Sequence, residues 1–388
     1  MAGLTSPARR SGSTIIRWAA AVLFSLTLAG CSLFFPGSSP GSGTETPPPG
    51  AAQVAAPDLV RIDMTSFANG WGVSENQVLI TRDGASSWFD VTPAGVSSLG
   101  FAASSAFMGD TTAWVQVPDP ENPESSTLYH TTDTGTTWAS YPLPFGSAYL
   151  DFLDDQHGAA LSVAGVGLGS SLVRIYRTEN GGESWALVFE NNPDLPADTP
   201  GVLPMAGIKT GISFQDENIG YVTGSVPADE FVYLYRTEDG GSTWNPVNLD
   251  LPAELTGSML NFLPPVFFNP TQGKLAVSYQ NPGGQGMLVF TTNNGGQSWM
   301  ATTPIPISGP VDFVNMQFGV VSDGNVFYAT QDGGQIWKQY AAGIRLGESL
   351  AQLDFVVPGS GYILSITADG ARQIYRTDDG GTNMRSVP

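Results

Sequence analysis

Seven stretches of this chain are copies of one eight-residue turn, and that repetition constrains the fold more than any other feature of the sequence. The copies stand at 81–88 (TRDGASSW), 131–138 (TTDTGTTW), 178–185 (TENGGESW), 237–244 (TEDGGSTW), 292–299 (TNNGGQSW), 330–337 (TQDGGQIW) and 377–384 (TDDGGTNM). Their shared pattern is T-x-[DN]-x-G-x-[ST]-W. An Asp or Asn at the third position accepts hydrogen bonds from backbone N–H groups just ahead, and Gly at the fifth supplies a positive φ without steric cost. The hydroxyl at the seventh closes the turn, and the Trp returns the chain to an apolar layer. Ala85, Ile336 and the pair Asn383-Met384 break the pattern in the first, sixth and seventh copies, so four copies match fully and three are degenerate.

The turns end on average about 49 residues apart, a spacing that suits a four-stranded propeller blade. Each is preceded by an apolar strand, often carrying Phe, then a small polar turn, a Gly and a second strand. At Phe152/Gly158, Phe214/Gly220, Phe313/Gly319 and Phe355/Gly361 the interval is six residues. A third strand, such as FVYLYR at 231–236, runs into the turn, and a short fourth follows the Trp. With 47 Gly, 29 Pro and 13% charged residues, the composition also reads as many short strands joined by tight turns. The expectation is an all-β chain, a single seven-bladed β-propeller of four-stranded antiparallel blades over residues 58–388.

Residues 1–30 contain no acidic residue, and Arg9, Arg10 and Arg17 precede an apolar run at 18–29. That layout predicts a secretory signal, because the run is short for a bilayer span. It ends in Leu28-Ala29-Gly30-Cys31, which resembles the bacterial lipobox; the resemblance implies cleavage before Cys31 and its acylation, and hence membrane anchoring. The bland alternative is a chance cysteine in a core helix, but Cys31 is the single Cys of the chain. Once acylated, it leaves no thiol for a disulfide, metal site or nucleophile. Residues 31–57 then read as the lipidated Cys and a disordered Gly/Ser/Pro tether, unable to bury a core. The expected location is the bacterial cell envelope, outside the cytoplasm and lipid-anchored. A net charge of −20 argues against nucleic acid as a partner, and a monomer is expected.

The repeated turn resembles the Asp-box, or bacterial neuraminidase repeat. It occurs between the third and fourth strands of blades in sialidases, sortilin-type receptors, xyloglucanases and the photosystem II stability/assembly factor family. The combined unit, Phe…Gly-aromatic followed by the turn, is most similar to the last of these. The resemblance covers roughly residues 58–388. It implies that the turns lie opposite the usual binding face. Asp83, Asp133, Asn180, Asp239, Asn294, Asp332 and Asp379 are accordingly expected to hold turns rather than to act as catalytic groups or calcium ligands, since an active site is needed once and a turn in every blade. Trp88, Trp138, Trp185, Trp244, Trp299 and Trp337 are expected to wedge between adjacent sheets.

Binding is expected where the chain stops repeating, at residues 118–126, 191–207 and 250–265. Candidates there are Asp119, Glu121, Glu124, Asp194, Asp198, Asp250 and Glu254, with tolerated surface insertions as the competing reading. Tyr141, Phe145 and Tyr149, at the junction of the second and third blades, either stack on sugar rings or pack the blades.

Enzyme signatures are sparse. A sialidase needs three converging arginines, whereas Arg82, Arg177, Arg236 and Arg376 sit in or beside the turns. Val60-Arg61-Ile62-Asp63 resembles the sialidase FRIP element without its aromatic and Pro. His130 abuts a turn motif and His157 lies in a connecting turn, neither placed as an obvious base or metal ligand. The sequence therefore predicts a non-catalytic binding or assembly scaffold for a protein partner, with no cofactor and no metal. The alternative is a carbohydrate-binding protein or sialidase-like glycoside hydrolase.

Overall fold

The computed structural model describes residues 46–167, 170–196 and 199–387; the expected signal sequence, Cys31, the first part of the tether and Asp198 lie outside these. Strands pair antiparallel into four four-stranded sheets, one five-stranded sheet and one nine-stranded sheet. The nine-stranded sheet joins two consecutive repeat units, here numbered four and five in chain order. Besides strands, the described residues form only two short 3-10 turns, Ala253–Leu255 and Gly347–Ser349.

One register recurs in every unit. An apolar residue of the innermost strand faces the first or second residue of the second strand, which faces the Thr that opens the turn. The sets are Met64–Gly70–Thr81, Phe107–Ala113–Thr131, Phe152–Gly158–Thr178, Phe214–Gly220–Thr237, Phe267–Gly273–Thr292, Phe313–Gly319–Thr330 and Phe355–Gly361–Thr377. The glycine is required by close approach. A Cβ on Gly158, Gly220, Gly273 or Gly319 would fall 2.6–2.8 Å from the ring of the facing Phe.

All seven turns close with the same two hydrogen bonds. The fifth-position N–H donates to the Thr Oγ1 at 2.8–3.0 Å. The seventh-position N–H donates to the Asp or Asn Oδ1 at 2.7–3.0 Å. The degenerate first, sixth and seventh copies keep this pattern, because backbone groups make both donations. Ile336 supplies its N–H without a hydroxyl, and Ala85 adopts φ 67° as the glycines do. The fourth position is left-handed as well, from Thr134 at φ 62° to Gly333 at φ 80°, a demand that the eight-residue pattern leaves unmarked.

These bonds carry a charge preference. Partial burial would raise the Asp133, Asp239 and Asp379 carboxyls, but the hydrogen bonds donated by the following turn residues outweigh it and hold all three below the usual range. The Ile336 N–H does the same for Asp332. A carboxyl with a depressed folded pKa stabilises above its unfolded pKa of about 3.9 and loses that contribution as pH falls through the folded value. Acid should therefore loosen these turns together below about pH 4. Asp239→Ala is expected to cost about 1–2 kcal/mol, as for a lost capping acceptor. Asp239→Asn should cost less than half of that, since Asn180 and Asn294 fill the same role. Urea midpoints of the two variants check both; equal losses would contradict the acceptor argument.

Seven apolar clusters fill the seams between consecutive units. Each contains the last turn residue of the later unit: Trp138, Trp185, Trp244, Trp299, Trp337 and Met384 in order, with Trp88 packed on Tyr362, Leu364 and Ile374 of the last unit. Trp88, Trp244 and Trp299 are buried, whereas Trp138, Trp185 and Trp337 are half-buried. Hydrogen bonds join the two ends of the array: Met64 N–H donates to Asp354 Oδ2 at 2.6 Å, Ile62 N–H to Gln352 Oε1 at 3.0 Å, and Gln352 Nε2 to the Ile62 carbonyl at 2.7 Å.

The tether expected to be disordered to residue 57 is ordered in its last part. Ala52–Val54 pairs with Trp88–Asp90 and makes the first sheet five-stranded. The reason is local: an outer strand of three residues leaves unpaired backbone groups, and Ala51 and Val54 tuck against the clusters on either side of that sheet.

Candidate binding face and central cavity

Because every turn joins a third to a fourth strand, the connections between second and third strands lie at the opposite end of each sheet. There the units differ. The second strands of units three, four and five, Gly158–Gly167, Gly220–Asp229 and Gly273–Asn281, run nine or ten residues, against four for Gly319–Ser322. Gly220–Asp229 outruns its third-strand partner, and its far end pairs with Met259–Phe262, which in turn pairs with Gly273–Asn281. Units four and five are stitched together on this side, so one arc of the face stands higher than the rest.

Apolar side chains are exposed along that arc: Ile208 is 57% and Met259 42% accessible. Asp194, Asp229, Glu230, Asp250 and Glu254 are exposed in the same stretches of chain, and Asp229 is paired with Met259. Between residues 191 and 265 the chain has two basic residues, Lys209 and Arg236, and Arg236 adjoins a turn on the other face. Lys209 is buried beneath Ile208. Its Nζ donates to the carbonyls of Pro204, Met205, Ala206 and Gly207 at 2.8–3.2 Å and lies 4.9 Å from the Tyr233 ring. Burial pushes its pKa down to about 7. The carbonyl cage in turn pins the junction that presents Ile208.

Other candidates are placed differently from one another. Asp119 Oδ1 accepts the N–H groups of Glu121 and Asn122, shaping its own loop. Glu124 meets Arg174 at 3.1 Å, and Arg174 is shared with Glu190 at 2.8 Å. Tyr141 lies toward the turn face, where its hydroxyl meets Glu183 of the neighbouring turn at 3.2 Å. Phe145 is buried against Tyr176 and Trp185. Tyr149 is buried with its hydroxyl on the Lys209 carbonyl. Of the two roles open to these aromatics, Phe145 and Tyr149 take packing, because both lie inside seam clusters. His130 stacks on Trp114 at 4.8 Å, and His157 is held by Asp154 at 2.9 Å.

The innermost strands surround a cavity of about 430 Å³. Polar residues at its wall are Arg61, Asp63, Thr210, Asp312, Gln352 and Asp354. Arg61 is 7% exposed; its NH1 donates to the Ser105 carbonyl at 2.8 Å, and its NH2 lies 3.9 Å from Asp63. Burial lowers the Arg61 pKa, opposed by Asp63 and Asp354. Among the described residues Arg61 is the one arginine lining this cavity. Asp312 and Asp354 each precede the Phe of the repeated unit, as Asp151 does, so their recurrence is visible in the sequence; the Lys209 cage has no such local signal.

No family model and no curated protein sequence matches this chain. Solved structures do. One is YCF48 bound to D1 peptide, 19% identical, with 87% of this chain and 96% of that one covered and a TM-score of 0.51. A second is the GH74 xyloglucanase from Xanthomonas campestris, 14% identical, covering 84% of this chain and 54% of that one, with a TM-score of 0.54. A third is oligogalacturonate lyase from Vibrio parahaemolyticus, 10% identical, covering 82% and 92%, with a TM-score of 0.53. The chain thus spans about half of the xyloglucanase. At these identities the likeness is one of fold: an all-β, propeller-type array of antiparallel sheets.

Proposed function

We propose that this chain is a lipid-anchored, extracytoplasmic, seven-bladed β-propeller that serves as a non-catalytic binding or assembly scaffold for a protein partner. The observation that carries this reading is the raised arc of units three to five, on which Ile208 and Met259 are exposed and Asp229 is paired beside Met259. An apolar patch with a charged rim is the usual form of a protein-docking surface. The similar YCF48 structure holds a D1 peptide, which supports a polypeptide ligand on this fold. A second reading, carbohydrate binding or hydrolysis, draws support from the xyloglucanase and from the carboxylates at the cavity wall.

Capture from detergent-solubilised envelopes on the full-length, C-terminally tagged protein tests the first reading. Ile208→Asp combined with Met259→Asp should abolish co-purification of the partner while leaving the thermal melt within a few degrees, because both side chains are already solvated. Cys31→Ser should release the protein from the membrane fraction. Turnover of xyloglucan, oligogalacturonate or a sialoside would overturn the non-catalytic reading, and an unchanged capture profile in the double variant would overturn the placement of the docking surface.

A further inference from the structure

At Ser225 the second strand of unit four has left its own third strand and pairs with Met259–Phe262, so the sheet continues from Ile208 into unit five. Cross-strand neighbours read Ile208, Ser225, Asn261 and Ser278 in one row, and Asp229, Met259, Gln280 and Gln285 in the other. Paired residues share a face, as do residues two apart on a strand. Ile208 and Met259 therefore stand on one side of the sheet, while Leu260 and Phe262 point away into the cluster between units four and five. Two strand spacings and two residues separate the exposed pair, a span of about 12 Å. Residues i and i+4 of an extended segment share a face at about 13 Å, so such a segment seats one apolar side chain on each.

The charge beside this pair has one sign. Asp229 is paired with Met259; Glu230 follows it, donating its N–H to the Ser258 carbonyl and accepting the Gly257 N–H, both at 2.7 Å. Asn281 ties the Glu254 carbonyl to the Ser258 hydroxyl. Asp229, Glu230 and Glu254 are thus exposed on the chain next to Met259, and among the described residues none of the three is ion-paired. Units four and five, residues 208–301, hold three bases, and each is engaged elsewhere. Lys209 is in its carbonyl cage, Arg236 meets Glu238 beside a turn, and Lys274 donates to the Gly333 carbonyl at 2.9 Å. An apolar face with an unmatched rim of one sign selects a partner of the opposite sign. We propose that the partner docks through an extended segment with apolar side chains four residues apart and lysine or arginine flanking them. The proposal rests on the raised arc being a docking surface and adds the chemistry of what docks there.

The test uses the full chain in detergent and fluorescence anisotropy with a labelled peptide, Lys-Ser-Leu-Ser-Val-Ser-Leu-Ser-Lys, and its counterparts carrying Gln or Glu in place of both Lys. The Lys peptide should bind about ten-fold tighter than the Gln peptide, as two exposed ion pairs allow, and the Glu peptide should bind weakest. Salt of about 0.5 M should narrow these gaps. Asp229→Lys combined with Glu254→Lys should invert the order, and Ile208→Ser combined with Met259→Ser should abolish binding of the Lys peptide; both pairs are exposed, so the thermal melts should stay within a few degrees. Equal binding of the Lys and Glu peptides, lost in the double serine variant, would overturn the basic partner and leave the docking surface standing. Binding unmoved by the double serine variant would overturn both. Absence of binding by all three peptides would overturn the proposal, as would self-association of the chain that the double serine variant removes, which assigns the face to a second copy.

Discussion

Replacing Trp244 with alanine should lower the unfolding free energy by about 3–5 kcal/mol, the range for deleting a large aromatic from a close-packed interior. The indole is fully buried in the cluster between units three and four, edge-on to Phe214 at 6.2 Å, and its Nε1 donates to the Gly241 carbonyl at 2.9 Å. Its removal leaves a cavity in one seam and a buried carbonyl without its donor. Trp138 occupies the matching place one seam from the start of the array, but it is half-buried, so Trp138→Ala should cost distinctly less. Equilibrium denaturation decides the matter: a loss below about 1 kcal/mol at Trp244 would contradict an interior role.

The second large effect is expected at Gly296. Alanine there must hold φ near +76°, and its Cβ would fall 1.9 Å from the hydroxyl of Tyr221. Tyr221 has no room to retreat, being fully buried between Phe267, with ring centroids 5.6 Å apart, and Trp299, at 6.1 Å. Left-handed backbone for a Cβ residue costs about 1–2 kcal/mol and overpacking about 1–3, less up to about 1 recovered from the stiffer unfolded chain. A net loss of about 1–5 kcal/mol follows. Gly241 supplies the control: it has φ +98°, yet the nearest atom to its would-be Cβ is 3.5 Å away. Gly241→Ala should therefore show the backbone cost alone. Equal losses at the two sites, read from denaturation midpoints, would mean that Tyr221 is not the obstacle.

Much of the fold was legible because its signals are local. The Thr…Trp turn is closed by atoms within a few residues of one another, and the six-residue Phe-to-Gly interval is the length of one tight connection. What escaped notice depends on distant partners. Asp151 finds its acceptor role 63 residues away at Phe214, and Gln352 meets Ile62 across 290 residues. Tyr141 looked like a companion of Phe145 and Tyr149, yet strand alternation and its place on an outer strand turn it toward Glu183. Of the candidate site, the long junctions were visible as breaks in the repeat. Ile208 and Met259 were not, because apolar residues in such junctions read as packing until accessibility shows otherwise.

The fifth strand of the first sheet also has a mechanical meaning. Any tension on the chain upstream of residue 46 is delivered through Ala52–Val54, whose three residues pair with Trp88–Asp90 at the outer rim. Three residues of edge pairing hold that segment to the sheet. Its release would free the chain from Ala52 up to the first inner strand at Leu59, adding roughly 20–25 Å of slack. The hydrogen bonds that fasten Ile62 and Met64 to the last unit lie beyond it, so loss of this strand would leave them in place.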